Sequence, residues 1–409
     1  MIRVRSFVGF PLMASLGYTE LQQRQVFKRH DRVFALLGMV NEHTSELLLP
    51  ANYNVEAEEI FEKAACVMVL ESQLLNHFIW IDVAYERPQL PSWVGFSDFE
   101  PQDRFPCPLD PVTAEMNYPI TFQFGDRVIC RHDVFKFVEG HVPVPLDELL
   151  GASLPQAILV TGGFVLDQVR TVSQNLCAAN FQSEILRMYH ELKLQQPRLG
   201  DGTKVLLQTI WSLISPPSSP SQSADDKSRR QLSFFILFSK WVLEGFGITK
   251  EVIEENKRLR LSGEEHQLVT RLFLSISDSI SSSYSHQDLR LFLNYFEGGV
   301  GGLAMGLLQH FHLYKENGVS TLRYGRNIFF GSRSAMGIGP MGDNSPGGLP
   351  AVQVGDQVVV LARLGLPVIL RPLGDGTHSL IGPAHIPGIA NDALLQSGNM
   401  PHLEDIRIR

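Results

Sequence analysis

The chain of 409 residues has only four cysteines, and their spacing excludes the usual cysteine-based sites. Cys66, Cys107, Cys130 and Cys177 lie far apart, and no C-x-x-C pair occurs. A zinc ribbon or a thioredoxin-type redox site needs such closely spaced pairs. Four cysteines are also too few for a disulfide scaffold in a chain of this length. We therefore expect reduced, mostly buried thiols in a cytoplasmic protein.

Long apolar runs and long basic runs are also absent. The strongest internal apolar run, FFILFSKWVL at 234–243, is interrupted by Lys240 and is far shorter than the roughly 18 residues that a membrane-spanning helix needs. The basic opening of the chain resembles a signal peptide, but Gly9 and Pro11 interrupt its apolar part. The net charge is −8, whereas nucleic-acid-binding domains usually carry a basic surface. We expect neither a membrane nor a nucleic acid as a partner.

Motifs for cofactor binding and catalysis are weak or missing. The run GIGPMG at 337–342 formally matches the dinucleotide-binding pattern, but Pro340 lies inside it and prevents a helix from starting there. The sequence contains no P-loop and no G-x-S-x-G motif. His310 and His312 lie in a helical pattern, where residues two apart point in different directions. We assign no catalytic, cofactor-binding or metal-binding residue and expect that the chain is not an enzyme.

One enzymatic alternative stays open at this point. Cys130 is close in sequence to His132 and Asp133. A cysteine nucleophile needs its histidine beside it in space, which sequence adjacency does not show. A cytosolic hydrolase with a Cys/His site is favoured if a histidine and a carboxylate lie within hydrogen-bond reach of a cysteine in one cleft. Scattered, buried cysteines would argue against it.

Hydrophobic periodicity predicts helices in the first part and the middle of the chain and strands elsewhere. The segment 54–73 has apolar residues at helical spacing, with Asn54 as its cap and three glutamates near its start. The segments 119–138 and 156–172 are rich in β-branched and aromatic residues around glycines, and each predicts a pair of strands. Helical patterns dominate 174–313.

The last part of the chain has a different pattern. After residue 322, short apolar runs alternate with glycine turns, which is typical of a small antiparallel barrel. We therefore predict an α+β fold with a mixed N-terminal segment, a helical middle and a small C-terminal antiparallel β-barrel. The predicted domains are an unmatched segment at 1–20, a mixed α/β region at 21–173, a helical region at 174–321 with a flexible Pro/Ser loop at 215–228, and the barrel at 322–409 with long loops at 341–354 and 390–401.

The run VILRPLGDGTHSLIGPAHIPGI at 368–389 can form either a turn or an anion site. Gly374, Asp375 and Gly376, together with Arg371, could cradle an anion. The same glycines supply the positive φ that a tight turn between two strands demands. We predict the hairpin, and we expect substitution of Arg371 or Asp375 to reduce stability rather than ligand binding.

Trp93 lies in the run PSWVGF at 91–96. An indole in a loop most often anchors that loop in the core, where its N–H finds an acceptor. We predict this role for Trp93, with a partner-binding aromatic residue as the alternative.

Several of these segments, taken in order, resemble the fungal heterokaryon-incompatibility (HET) proteins, in the part that follows their N-terminal HET domain. The similar segments, which span 21–409, are RHDRVFALLGM at 29–39, ANYNVEAEEIF at 51–61, PSWVGF at 91–96, ILVTGGFVLDQVRTVS at 158–173, TIWSLI at 209–214, GRNIFFGSRSAMGIGP at 325–340 and the run 355–389. We interpret the matched motif positions as structural, and they are Asp31, Arg32, Leu37, Gly38, Pro91, Trp93, Gly163, Asp167, Trp211, Gly355, Asp356, Arg371, Pro372, Gly374, Asp375, Gly376, Gly382 and Gly388.

The motifs of the HET domain itself do not occur in this sequence. FIWIDVAYERPQ at 78–89 imitates one of them, but it lies between two segments of the later region. Cell-death activity in the family is attributed to the HET domain, so the resemblance carries over no effector residue. It implies a non-catalytic regulatory or interaction protein in fungal nonself recognition and programmed cell death, with another protein as partner and no cofactor. A truncated remnant without function is a further alternative, and an upstream exon encoding the HET motifs would instead make this a conventional HET protein.

Overall fold

The structure is a computed structural model of the chain. It describes residues 28–31, 33–34, 52–75, 77–78, 90–94, 118–130, 157–176, 183–184, 187–188, 191, 326–333, 335–342, 351–386 and 401–409. The predictions for 1–20, the Pro/Ser loop at 215–228, residues 343–350 and 387–400, and most of the region 174–321 lie outside these residues.

The chain divides into two compact units. The first consists of Met1–Val172, Phe329–Asn344 and Leu349–Arg409, and the second of Ser173–Ile328 and Ser345–Gly348. In the second unit, Asn327 donates to Asn175 (2.7 Å) and to the Ser173 carbonyl, and the Ser173 hydroxyl accepts from the Ile328 amide. These bonds satisfy polar groups that are buried there.

Helix α1 spans Ala57–Ser72 in the first unit. Its N-cap position is Glu56, which makes no side-chain cap bond, so the prediction of Asn54 as the cap is wrong. The chain leaves the helix at Gln73, which has a left-handed φ of 54° and donates its amide to the Val69 carbonyl. Twelve of the sixteen helical residues are buried, including Glu62 and Lys63, so α1 is a core helix rather than a surface helix.

Nine strands form one sheet in the described part of the chain. They are β1 (Thr121–Phe124), β2 (Arg127–Cys130), β3 (Ile158–Val172), β4 (Arg326–Gly331), β5 (Met336–Met341), β6 (Gln357–Leu361), β7 (Val368–Pro372), β8 (His378–Pro383) and β9 (Glu404–Ile408). The β8–β9 pairing is parallel, and the pairings among β1, β2, β3, β6, β7 and β8, together with β3–β4 and β3–β9, are antiparallel. The predicted strands at 119–138 and after 322 are confirmed where the structure describes them.

Strand β3 is the centre of the sheet. It pairs with β1, β6, β4 and β9, and the pairings β3–β6–β7–β8–β9 return to β3. The segment 156–172 was predicted to form a pair of strands because of its two central glycines, whereas it forms one strand of 15 residues. Those glycines are close-packing positions: a Cβ on Gly162 would lie 2.4 Å from the Tyr118 ring, and one on Gly163 would lie 2.9 Å from the Val360 carbonyl.

The β6, β7 and β8 strands contribute to two hydrophobic clusters. Val358, Ile369 and Ile381 belong to one cluster, and alternate residues of the same strands join α1 in the other. Both faces of these strands are therefore buried, which explains their nearly continuous apolar sequences.

The predicted α+β fold with a helical middle and a separate C-terminal barrel is wrong. Strands predominate among the described residues, and α1 is the one long helix there. The strands after residue 322 do not close on themselves but join β1, β2 and β3 in one sheet. The reason is β3, whose length lets it pair with early and late strands at once. No helix of the described part of the chain is long and apolar enough to cross a membrane.

Candidate functional site

The carboxylate of Asp167 holds the turn between β4 and β5. It is buried and accepts hydrogen bonds from the Ser332 hydroxyl (2.9 Å) and from the backbone amides of Arg333 (2.9 Å) and Ala335 (2.9 Å). A Cβ on Gly331 would lie 2.1 Å from an Asp167 oxygen, so only glycine leaves room for the carboxylate. This motif position closes a turn that lies more than 160 residues further along the chain.

Asp356 and Arg371 form a second internal contact. Arg371 Nε donates to Asp356 Oδ1 (2.8 Å), and Arg371 Nη2 donates to Asp356 Oδ2 (3.0 Å) and to the Ala351 carbonyl (2.8 Å). Asp356 also accepts from the Gln353 amide (2.8 Å). The Asp356 side chain is 2% exposed and that of Arg371 is 29% exposed. The bidentate pair joins the loop 351–356 to β7, a geometry that suits a fork-like guanidinium.

The Gly-Asp-Gly run forms the predicted hairpin between β7 and β8. Gly374 and Gly376 have φ values of 74° and 81°, and the Leu373 amide donates to the Thr377 carbonyl. Asp375 accepts from the Thr377 amide (2.9 Å) and hydroxyl (2.5 Å). These bonds hold the pKa of Asp375 below its ordinary value.

Two further motif positions shape the strands around this hairpin. Pro372 is paired with His378 at the end of β7, where a missing N–H costs little. Gly382, with φ of 144°, lies at the register shift of the β7–β8 pairing, and Gly355, with φ of 97°, donates its amide to Val169.

Trp93 is an anchor in the core, as predicted. Its side chain is fully buried, its ring lies 5.0 Å from that of Phe122, and its Nε1 donates to the Ala157 carbonyl (3.0 Å). The Ala157 amide in turn donates to the buried Glu62 carboxylate (2.7 Å). Pro91, the other motif position of this segment, is buried beside it.

The core beneath Trp93 contains two titratable groups that the sequence analysis did not identify. Glu62 and His77 are both buried, and burial raises the pKa of Glu62. Burial lowers the pKa of His77 to about 4, so that its ring is neutral near pH 7. His77 Nε2 lies 3.2 Å from the Trp93 carbonyl, whereas its buried Nδ1 has no hydrogen-bond partner. Glu62 lies within the predicted helix at 54–73 and His77 lies after it, and no sequence motif marked either residue as buried.

Asp31 holds the turn before α1. It accepts from the hydroxyl of Tyr53 (2.6 Å), which raises the pKa of Tyr53, and Lys28 lies over the Tyr53 ring at 4.8 Å. Arg29 forms an ion pair with Glu58 in the first turn of α1. The remaining motif positions lie outside the described residues, and they are Arg32, Leu37, Gly38, Trp211 and Gly388.

The cysteines and histidines of the enzymatic alternative are only partly described. Cys66 is buried in α1, and burial raises the pKa of its thiol well above the ordinary value, which disfavours a thiolate. Cys130 ends β2 and is half-buried. The structure does not describe the other residues of this alternative, which are Cys107, His132, Asp133, Cys177, His310 and His312. Among the described residues, no group of three or more His, Cys, Asp or Glu side chains is arranged to hold a metal ion.

The run GIGPMG lies largely within β5. A dinucleotide fingerprint requires a strand before the glycines and a helix that opens at them. Gly337 is instead a packing position, since a Cβ there would lie 2.6 Å from the His385 carbonyl.

Two exposed aliphatic side chains lie two residues in sequence from the members of the Asp356–Arg371 pair, with Val354 before Asp356 and Leu373 after Arg371. Val354 is 69% exposed and is adjacent to Gly355, and Leu373 is 39% exposed at the start of the Gly-Asp-Gly turn. The residue pair Gln357–Leu370 marks the end of the β6–β7 pairing from which both loops emerge. We call Val354 and Leu373, with the turn residues Gly355, Gly374 and Asp375, the turn surface. Arg371 ties the loop 351–356 on one side of this surface to β7.

No family model matches the chain, and no curated protein or solved structure is significantly similar to it. Membership of the HET family therefore stays a prediction from the sequence motifs.

Proposed function

We propose that this chain is a non-catalytic regulatory or interaction protein of the HET family, acting in the cytoplasm in fungal nonself recognition and programmed cell death. Its partner in this proposal is another protein, and the contact is made through the turn surface. The proposal involves no cofactor, nucleic acid or membrane.

The hydrogen bonds and ion pair of the charged motif residues support the proposal most. Asp167, Asp356, Arg371 and Asp375 all engage groups of the chain itself and fix three turns of the sheet. A carboxylate that accepts from several fixed donors is committed to the fold and is poorly placed to act as an acid, base or nucleophile. Motif residues that only maintain the fold favour a protein that acts by presenting a surface to a partner and not by catalysis.

The turn surface supports an interaction role because it exposes aliphatic groups on a rigid backbone. Exposed valine and leucine at the tips of ordered loops gain free energy when a partner covers them. The loop 351–356 pays little conformational entropy on binding, since Arg371 already ties it to β7.

Co-expression with a full-length HET protein of the same fungus tests the proposal. We expect the two proteins to co-precipitate and the chain to change the extent of cell death that the full-length protein causes. The double variant Val354→Asp/Leu373→Asp should abolish co-precipitation, because it places charge where apolar contact is needed.

A matched control is Val128→Asp in β2, which also charges an exposed valine (61% exposed) outside the turn surface. This variant should bind as the unmodified chain does, and both variants should keep its melting temperature. Absence of co-precipitation together with unchanged cell death would overturn the regulatory function. Equal loss of binding in both variants would overturn the assignment to the turn surface.

A further inference from the structure

Two arginines lie at the surface of the sheet close to the turn surface. Arg170 in β3 and Arg333 in the turn between β4 and β5 are both exposed. Among the described residues, neither guanidinium has a hydrogen-bond, ion-pair or aromatic partner. Arg371, by contrast, pairs with Asp356 by two hydrogen bonds. The chain as a whole has a net charge of −8, so two uncompensated cations in one place depart from its overall charge.

Backbone hydrogen bonds place both arginines near the exposed valine of the turn surface. The Ser332 amide donates to the Gln168 carbonyl (2.9 Å) at one edge of β3, and the Gly355 amide donates to the Val169 carbonyl (2.9 Å) at the other edge. Each arginine, like Val354, is the sequence neighbour of one of these four residues. Because adjacent strands lie about 4.8 Å apart, the three backbones fall within roughly 15 Å of one another.

The alternation of side chains along β3 directs Arg170 to the same face as Gln168. The two residues that flank Gln168 are buried, whereas Gln168 and Arg170 are exposed. The Gln168 side-chain amide donates to the Gly355 carbonyl (3.3 Å), so this face continues onto the loop that carries Val354. We call Arg170, Arg333 and Val354 the cationic patch. It combines two cations with an apolar side chain that is 69% exposed.

Two carboxylates lie near the cationic patch, and both are already engaged. Asp167 accepts from three donors of the turn between β4 and β5, and Asp356 is paired with Arg371. Both aspartates are 2% exposed, so neither carboxylate is presented at the surface. The two exposed guanidinium groups are therefore available to a carboxylate of another molecule, whose shape matches their fork of N–H donors.

We propose that the protein bound at the turn surface presents an acidic segment with an apolar side chain to the cationic patch. Carboxylates of that segment pair with Arg170 and Arg333, and its apolar side chain covers Val354. The inference rests on the proposed function, because it specifies the chemistry of the partner that is assigned there to the turn surface.

The exposed side chain of Val354 favours a protein over a nucleic acid as the occupant. Arginine also binds phosphate, but a phosphate backbone offers no apolar group that would cover an aliphatic side chain. The net charge of −8 opposes the approach of a long polyanion, whereas a short acidic segment carries few charges. An acidic protein segment therefore fits both the charge and the apolar exposure of the cationic patch.

Selection of short random peptides on the full-length chain tests the chemistry of the occupant. In low-salt buffer, we expect the selected peptides to combine aspartate or glutamate with a large apolar residue. The tightest peptide is then compared with a counterpart in which Asn replaces every Asp and Gln replaces every Glu. By fluorescence anisotropy, the Kd of the counterpart should be higher by about tenfold or more, and salt at about 1 M should weaken binding of the acidic peptide severalfold.

Variants of the chain locate the binding to the cationic patch. Arg170→Glu/Arg333→Glu should raise the Kd of the acidic peptide by about tenfold or more, and Val354→Asp should raise it severalfold. The matched control is Lys28→Glu/Arg127→Glu, which reverses two other exposed cations and changes the net charge equally. It should bind the peptide as the unmodified chain does. All five residues are exposed, so each variant should keep the melting temperature of the chain.

Four results would overturn the inference. They are a selection that yields no peptide or peptides without acidic residues, equal binding of the amide counterpart, equal loss of binding in the two double variants, and displacement of the peptide by a single-stranded RNA. The last result would make a nucleic acid the occupant of the cationic patch.

Failure of the proposed function gives a different result, in which the acidic peptide binds but the full-length HET protein does not co-precipitate. Co-precipitation that is abolished by Val354→Asp/Leu373→Asp and unchanged by Arg170→Glu/Arg333→Glu would contradict this inference alone and leave the proposed function intact.

Discussion

Two turns of the same sheet use an aspartate in opposite environments. Asp167 is 2% exposed and accepts from groups on a turn more than 160 residues away in sequence. Asp375 is exposed and accepts from Thr377, two residues away. The residue type and the hydrogen-bonding role are the same, but one carboxylate is removed from water and the other is not.

The comparison shows that burial decides how much such a carboxylate matters. When a buried acceptor is deleted, water replaces it poorly on the buried side, and each donor left unsatisfied costs about 1–3 kcal/mol. When an exposed acceptor is deleted, water takes its place. We therefore expect the largest destabilisation at Asp167, a smaller one at the partly exposed Asp356–Arg371 pair, and the smallest at Asp375.

Asp167→Ala should produce the largest effect. It removes a buried carboxylate that accepts from the amides of Arg333 and Ala335 in a part-buried turn. Because hydrogen bonds to a charged group contribute about 1.5–3 kcal/mol each, we expect a loss of about 3–5 kcal/mol in the free energy of unfolding. Amide hydrogen exchange of residues 331–336 should accelerate before global unfolding, because the turn opens locally. Urea denaturation followed by hydrogen-exchange mass spectrometry measures both effects.

The matched control is Ser332→Ala, which removes one donor and leaves the carboxylate and the two amides in place. It should cost about 1 kcal/mol. Gly331→Ala should again be strongly destabilising, since its Cβ would overlap the Asp167 carboxylate. If Asp167→Ala were no worse than Ser332→Ala, burial would not distinguish the two turns and the comparison would fail.

The same contrast explains what could be predicted from the sequence. The Gly-Asp-Gly hairpin was predictable because all its determinants, the two positive-φ glycines and the Thr377 donors, lie within five residues. The role of Asp167 was not, because its donors lie in the turn between β4 and β5, more than 160 residues away in sequence. Its motif position was noted, but nothing in the sequence indicated which distant turn it would hold.

The same distinction between local and distant determinants separates the parts of the fold that could be predicted from those that could not. Local patterns predicted most of the described strands, α1 and the burial of Trp93. They could not predict that β3 would be a single strand pairing with both early and late parts of the chain, because a glycine pair resembles a turn unless the ring that packs on it is known. The wrong fold class followed from treating the late strands as self-sufficient.

Arg371→Met tests the intermediate case. It leaves the Asp356 carboxylate buried with the Gln353 amide as its remaining partner, and we expect a loss of about 2–4 kcal/mol in the free energy of unfolding. The double variant Asp356→Asn/Arg371→Met should be less destabilised than the sum of the single variants, because the unpaired charge is gone. A double-mutant cycle by urea denaturation gives the coupling energy.

Arg371→Lys sharpens this result, since a lysine keeps the charge but cannot make the bidentate contact and the bond to Ala351 together. We expect it to fall between the unmodified chain and Arg371→Met. A coupling energy near zero would mean that the pair adds nothing beyond an exposed ion pair, and Asp356 would then belong with Asp375 rather than with Asp167.

Asp375→Asn should have the smallest effect of the three. The amide oxygen still accepts from Thr377, and the ion pair with Arg409 is about half exposed on both sides and contributes little.

What the variant removes is the charge of Asp375, and with it a pH dependence of the stability. Because Thr377 holds the folded-state pKa of Asp375 below its ordinary value of 3.8, the ionised carboxylate stabilises the fold above that value. This stabilisation is lost as the pH falls through the lowered folded-state pKa. The difference in melting temperature between Asp375→Asn and the unmodified chain should therefore be small and constant above about pH 5, and it should vanish in more acidic solution. A difference in melting temperature that grows on acidification, or one as large as that of Asp167→Ala at pH 7, would show that this exposed turn stabilises the fold by more than its burial explains.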